Sequence, residues 1–188
     1  MMTTDALSAS HGRRSIFLQG ATMLGLAALI TLAAKVQVPF WPVPMTLHTL
    51  AVMMIALIGG PRVAMGAMAT YLAAGAAGLP VFSGSPERGI GLAYMAGPTG
   101  GYLLGFLVAA GVTGWLAAGG GTLRRLLAML AGLAVTYAAG AAWLAAFLPA
   151  DKVLAAGVLP FVTGDLLKLG VAALLAGGWD RLRKGRSA

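Results

Sequence analysis

Asp165 and Lys168 are the only ionisable side chains set inside an apolar stretch of this chain, in the run from Leu159-Pro160 through Gly164 to Gly170. A charge at membrane depth costs about 2.5–3.5 kcal/mol even on lenient insertion scales, so such a group faces a cavity, a partner or a ligand. A spacing of three places both on one helix face. A carboxylate acceptor beside an ammonium donor suits a small ligand carrying both an amide-like N–H and a carboxylate. The alternative is a mutually neutralising structural pair.

The elements that must carry this pair are membrane helices. Hydrophobic residues make up 59% of the 188 positions, charged residues 10%, and mean hydropathy is +0.88, far from the range of soluble domains. The 28 glycines, with abundant alanine, suit helices that approach closely without a hydrophobic drive between them. The absence of cysteine excludes disulfides, thiol catalysis and thiolate metal sites. A net charge of +8 does not indicate nucleic acid, because the charges cluster at the ends of apolar segments.

Six apolar runs predict spans: Ser15 to Ala34, Thr46 to Gly59, Arg62 to Ala77, Pro98 to Ala118, Leu123 to Leu148 and Phe161 to Gly178. The expected fold is an all-α integral membrane protein, a compact six-transmembrane-helix bundle over residues 15–182. It lies between a cytoplasmic N-terminal tail (1–14) and a basic cytoplasmic tail (183–188). The second run is short against the ~20 residues of a straight span, which predicts tilt, partial re-entry or extension into its flanks. Gly59-Gly60-Pro61 reads as a tight turn between spans two and three.

With both termini inside, the inner ends carry Arg13, Arg14, Arg62, Arg124, Arg125, Arg181, Arg183, Lys184 and Arg186, and the outer connections only Lys35, Arg88 and Lys152. That asymmetry is the positive-inside pattern. It places Asp165 and Lys168 in the outer half of span six, open to a ligand from outside. Arg13-Arg14 before an apolar run also resembles a twin-arginine export signal, but no A-x-A cleavage site follows, so the pair reads as the inner anchor of span one.

The outer connections are unusual. Pro39, Pro42 and Pro44 force an extended path that presents Phe40 and Trp41 to a membrane interface or a ligand. Leu79 to Gly97 is the longest connection, of the kind that serves as a lid or binding element. Lys35 and Lys152 read as headgroup contacts. Small residues recur every four positions at Gly97, Gly101, Gly105, Ala109 and Thr113, at Gly66, Thr70, Ala74 and Gly78, and at Gly132, Thr136 and Gly140. Such stripes are helix-packing surfaces first, with room left for a partner in the membrane.

Three stretches carry a family resemblance: Pro39 to Thr49, Gly78 to Phe82 followed by Gly97-Pro-Thr-Gly-Gly-Tyr-Leu-Leu-Gly-Phe106, and Pro160 to Lys168 with its Gly-Asp-x-x-Lys. In order and spacing the chain resembles BioY, the substrate-binding S component of biotin transporters of the energy-coupling factor (ECF) type. The resemblance implies a six-helix protein of the bacterial inner membrane that takes up biotin from the outer side. It implies that Asp165 and Lys168 are the binding pair and Gly97, Thr99, Gly100 and Gly101 a pocket-lining turn. Its implied partners are a transmembrane coupling protein and two cytoplasmic ATPases, in keeping with the absence of a Walker A motif here. Ala21 and Gly25 are the nearest match to the family's coupling patch on span one. The family usually has Gln where this chain has His48.

Biotin offers two ureido N–H donors, one carbonyl acceptor, an apolar thioether ring and an acidic tail. Asp165 is expected to accept from the N–H groups, with backbone N–H groups near Gly97 to Gly101 or the Ser83 hydroxyl at the carbonyl. Lys168, with Arg88, would neutralise the carboxylate, and these two assignments can be exchanged. Tyr94, Phe82 and Trp41 would wall the thioether ring. No cofactor or metal is expected. Competing readings are a membrane enzyme, which lacks any H-E-x-x-H or cysteine nucleophile and has only His11 and His48, an S component for thiamine or riboflavin, and a self-contained facilitator acting as a homo-oligomer.

Overall fold

The computed structural model describes residues 4–38 and 42–185, with side chains described over 18–37 and 42–179. Its elements run α1 (Thr4–Lys35), β1 (Gln37–Val38), β2 (Met45–Thr46), α2 (His48–Ala76), α3 (Gly91–Ala96), α4 (Gly100–Ala117), α5 (Thr122–Leu144), α6 (Ala150–Gly157) and α7 (Leu159–Gly185). Five of these helices are long and apolar enough to cross a membrane. One of them crosses twice. Within α2, Gly60 has φ +75° and ψ −179°, a conformation that glycine adopts readily, and Pro61 follows without an N–H to continue the ladder.

The consequence is a reversal. The rings of His48 and Tyr71 lie 5.1 Å apart, whereas a straight helix would separate these residues by about 35 Å at 1.5 Å per residue. The limbs 48–59 and 61–76 are therefore antiparallel, the expected Gly-Gly-Pro turn joins them, and the molecule is a six-helix membrane bundle. The short first limb is extended by its flank: residues 42–44 are buried above it, and β1 pairs antiparallel with β2 with Gln37 opposite Thr46 and Val38 opposite Met45.

Several boundaries differ from expectation. α1 begins at Thr4 inside the expected tail, and α7 runs to Gly185, because neither terminal segment contains proline and both hold good helix formers. α5 stops at Leu144 rather than Leu148, and Pro149 precedes the short α6. α3 and α6 interrupt connections that read as irregular.

The glycine stripes pack α4 on α5. A Cβ on Gly105 would stand 2.9 Å from Thr136 Cα, closer than side chains tolerate. Gly132 is covered by the Thr113 hydroxyl and Gly140 by the ring of Tyr102. The stripe of the second α2 limb meets α1, where Met23 covers Gly66. α1 itself is peripheral: Ala27, Ile30 and Ala34 face inward, while Leu24 and Leu32 face outward. Outward leucines such as Leu167 and Leu174 would be a liability in water and suit lipid.

The turn at Gly60 and the α4–α5 connection lie at one end of the bundle with the start of α1 and the end of α7. The β-hairpin, the 77–99 connection with α3, and the 145–158 connection with α6 gather at the other.

Candidate functional site

The hairpin and the 77–99 connection roof a cavity at this end of the bundle. The hairpin contributes Val43 to Thr46, α2 gives His48, Thr49 and Tyr71, α4 gives Tyr102, Leu103 and Phe106, α5 gives Thr136 and Tyr137, and α7 gives Phe161, Asp165 and Lys168. Ser83, Tyr94 and Thr99 complete the wall.

Asp165 is buried at 4% exposure. Its Oδ1 accepts from Lys168 Nζ at 2.8 Å and its Oδ2 from the Tyr137 hydroxyl at 2.7 Å. Each carboxylate oxygen has two acceptor positions and the ammonium three donors, so both members retain capacity for a ligand. The turn of helix that joins them makes the pair local; Tyr137, 28 residues earlier, is brought in only by the packing of α5 against α7.

All four tyrosines of the chain line this cavity. Each is anchored by its hydroxyl, which leaves the ring as apolar wall. Tyr137 donates to Asp165, Tyr102 to Gly157 O at 2.7 Å, Tyr94 to Ser83 O at 2.6 Å and Tyr71 to Val81 O at 3.4 Å. Burial pushes the Tyr94 hydroxyl above its ordinary pKa against the opposing effects of a Thr99 hydrogen bond and the Arg88 charge, so it stays a donor. His48 stacks on Phe106 with centroids 4.4 Å apart and meets Tyr71 edge-on. Its Nε2 is buried and has no hydrogen-bond partner among the described residues.

The structure brings together Asp165, Lys168, Ser83, Tyr94 and Thr99 of the residues expected from sequence. Arg88 and Gly97 line a second, outer cavity with Pro42, and this cavity shares Tyr94 and Thr99 with the first. Phe82 does not reach the ligand space: it is fully buried behind Tyr94, stacked on it at 4.8 Å, and covers Gly75, where any Cβ would strike its ring. Gly100 and Gly101 serve packing, since a Cβ on either would run into Met95 O or Trp143. Of the expected backbone donors, Gly97 N–H is engaged with Tyr94 O and Gly100 N–H with Gly97 O. The Ser83 proton goes to Gln37 Oε1 at 2.5 Å, so the hydroxyl is an acceptor toward the cavity. Trp41, with Phe40, lies outside the described residues.

Lys35 is no headgroup contact. Its ammonium donates to Phe82 O at 3.0 Å and Ser85 O at 2.7 Å, and Arg88 Nη1 donates to Pro42 O at 3.3 Å, so the 79–90 segment is tied to α1 and to the hairpin. Sequence reading missed His48, Tyr71, Tyr102, Phe106, Tyr137 and Phe161 as lining residues. The available signal was polar-tipped aromatic side chains in otherwise apolar spans, which seek a partner when buried. Ala21 and Gly25 are exposed on α1, with nothing among the described residues covering Gly25.

Comparison with known proteins agrees with this architecture. A crystal structure of the S-component for biotin from an ECF-type ABC transporter matches with a TM-score of 0.75 over 91% of this chain and 93% of that one, at 24% identity, a likeness of fold. A Thermotoga maritima protein described as biotin transporter BioY is 42% identical over 151 residues, 79% of this chain and 88% of its own length. The Rhodobacter capsulatus biotin transporter BioY is 38% identical over 182 residues, 84% of this chain and 91% of that one, and a probable biotin transporter BioY of Pyrococcus horikoshii is 37% identical over 149 residues, 79% and 88%. The BioY family model matches residues 6–185, so the polar pair, the aromatic cavity and the folded-back second helix are those of a chain that belongs to the BioY family.

Proposed function

We propose that this chain is the biotin-binding subunit of a vitamin transporter, a binding protein and not an enzyme. The observation that carries the reading is a buried carboxylate–ammonium pair facing an aromatic-walled cavity in a chain of this family. Biotin's fused ureido ring needs acceptors for two N–H groups and a donor for its carbonyl. Asp165 provides the first and Lys168 the second, and charge-assisted hydrogen bonds in a dry site are the stronger kind. The tyrosine faces and Phe161 enclose the thioether ring.

The two ligand orientations are not equivalent in this geometry. Lys168 sits 2.8 Å from Asp165, so a ligand carboxylate placed at Lys168 would stand beside a second carboxylate, and like charges at that range oppose each other. The acidic tail therefore belongs in the outer cavity with Arg88, and the ring end belongs with the α7 pair.

The positive-inside asymmetry supports cytoplasmic termini in a bacterial inner membrane, with the cavity opening outward. The chain then spans over residues 15–182, and the segments 1–14 and 183–188 are cytoplasmic. ATP-driven release requires a coupling protein and two ATPase subunits, for which the exposed Ala21–Gly25 face of α1 is the docking surface; a homo-oligomer is the alternative assembly. Equilibrium binding of labelled biotin to the detergent-purified chain, with excess thiamine and riboflavin as competitors, tests the reading. Displacement by biotin alone is expected. A folded sample that binds no biotin would sink it.

A further inference from the structure

We propose that His48 Nε2 hydrogen-bonds the bound ligand directly and sets ligand specificity beside the Asp165–Lys168 pair; the proposal rests on the biotin reading above. His48 opens α2 and is only 4% exposed. Its backbone N–H donates to Thr46 Oγ1 at 3.1 Å, and its ring is clamped between the face of Phe106, tilted 9°, and the edge of Tyr71, at 87°. The imidazole therefore cannot swing freely in search of a partner.

Most other polar groups around this cavity are met from within the protein. The four tyrosine hydroxyls, the Ser83 hydroxyl, the Asp165 carboxylate and the Thr136 hydroxyl all have partners. His48 Nε2 is the one fully buried side-chain nitrogen or oxygen without a partner among the described residues. Buried polar atoms are almost always hydrogen-bonded, and one without a partner destabilises the fold unless something supplies it. Because this atom belongs to a wall residue of the cavity, the occupant is the natural supplier.

The chemistry fits a cyclic urea. A neutral imidazole presents at Nε2 either an acceptor or an N–H donor, according to tautomer, and the ureido group has an N–H for one and a carbonyl for the other. A hydrocarbon ring would satisfy neither. A site with a buried polar group rejects analogues that leave it unpaired far more strongly than an apolar pocket rejects a misfit, which makes His48 a selector for a polar ring end.

Calorimetric titration of biotin into the purified full chain, wild type and with His48→Phe or His48→Gln, tests this. Phenylalanine keeps the aromatic stack and removes the nitrogen. It should weaken biotin at least about tenfold while leaving the ligand-free Tm unchanged or higher, since the orphaned atom is gone; glutamine should recover most of the affinity. Wild-type affinity in His48→Phe overturns the proposal and leaves the biotin reading standing. No biotin binding by the wild type overturns both. Should His48→Phe fail to fold, wild-type protein labelled with 15N-histidine decides: the chain has two histidines, and a His48 Nε2 resonance that does not move on saturation with biotin refutes the contact.

Discussion

Replacing Asp165 with Asn probes the central pair with almost no change in volume. The amide retains an acceptor for the Tyr137 hydroxyl, now 2.7 Å away, but removes the charge opposite Lys168. If Asp165 accepts ligand N–H groups, the loss of a charge-assisted bond costs about 1.5–3 kcal/mol. At about 1.36 kcal/mol per tenfold, biotin affinity should drop roughly 10- to 150-fold. The structural cost is separate. Breaking a buried pair costs about 3–5 kcal/mol when the remaining charge is sealed in, yet the Lys168 side chain keeps 12% exposure toward a cavity, so about 1–2 kcal/mol is the better figure. For a domain of this size that lowers Tm by a few degrees, about 2–4 °C per kcal/mol.

Titration calorimetry and thermal unfolding of Asp165→Asn, alone and combined with Lys168→Met, separate the two contributions. A ligand role predicts that the double variant regains stability without regaining affinity. Wild-type affinity in Asp165→Asn, or recovery of both properties in the double variant, would refute the binding role and leave only a structural pair.

Tyr137→Phe deletes the second anchor of the Asp165 carboxylate and should weaken biotin about five- to tenfold, the worth of one such bond; unchanged affinity on titration would show that α7 alone orients the carboxylate. Gly101→Ala forces a Cβ into Trp143 and Ala139 O, so overpacking should cost about 1–3 kcal/mol and lower Tm, and a variant as stable as wild type in thermal scans would contradict the tight α4–α5 contact. Gly25→Trp projects from the bare face of α1, where nothing lies within 4 Å. It should abolish co-purification with a coupling protein and leave biotin binding by the isolated chain intact; retained co-purification moves the docking surface elsewhere. Because the chain has no cysteine, Gly121→Cys and Ala150→Cys can be labelled singly in whole cells. Impermeant reagent should reach position 150 only, and labelling at 121 would invert the topology.

The site was partly legible for a local reason. Asp165 and Lys168 share one turn of helix, so spacing alone places them together, and the pair is costly enough in an apolar span to stand out. Tyr137, Tyr71 and Tyr102 looked like ordinary span residues, because what makes them cavity walls is the contact each hydroxyl finds across the bundle. Gly100 and Gly101 erred in the opposite direction: glycine permits close approach by a ligand and by a helix equally, and only Trp143 packed against them decides which. Lys35 likewise reads as an interfacial anchor until the 79–90 segment folds back onto it.

Composition, hydropathy and local backbone chemistry determined by themselves that this is a membrane bundle and that Gly59-Gly60-Pro61 reverses the chain, because each depends on solvation or on backbone chemistry within a few residues. Which helix faces meet, which aromatics roof the cavity, and which buried polar atom is left unmet were decided only by tertiary structure. Between helices in lipid no hydrophobic gradient selects the partner, so pairing follows shape complementarity between glycines and side chains that are distant in sequence.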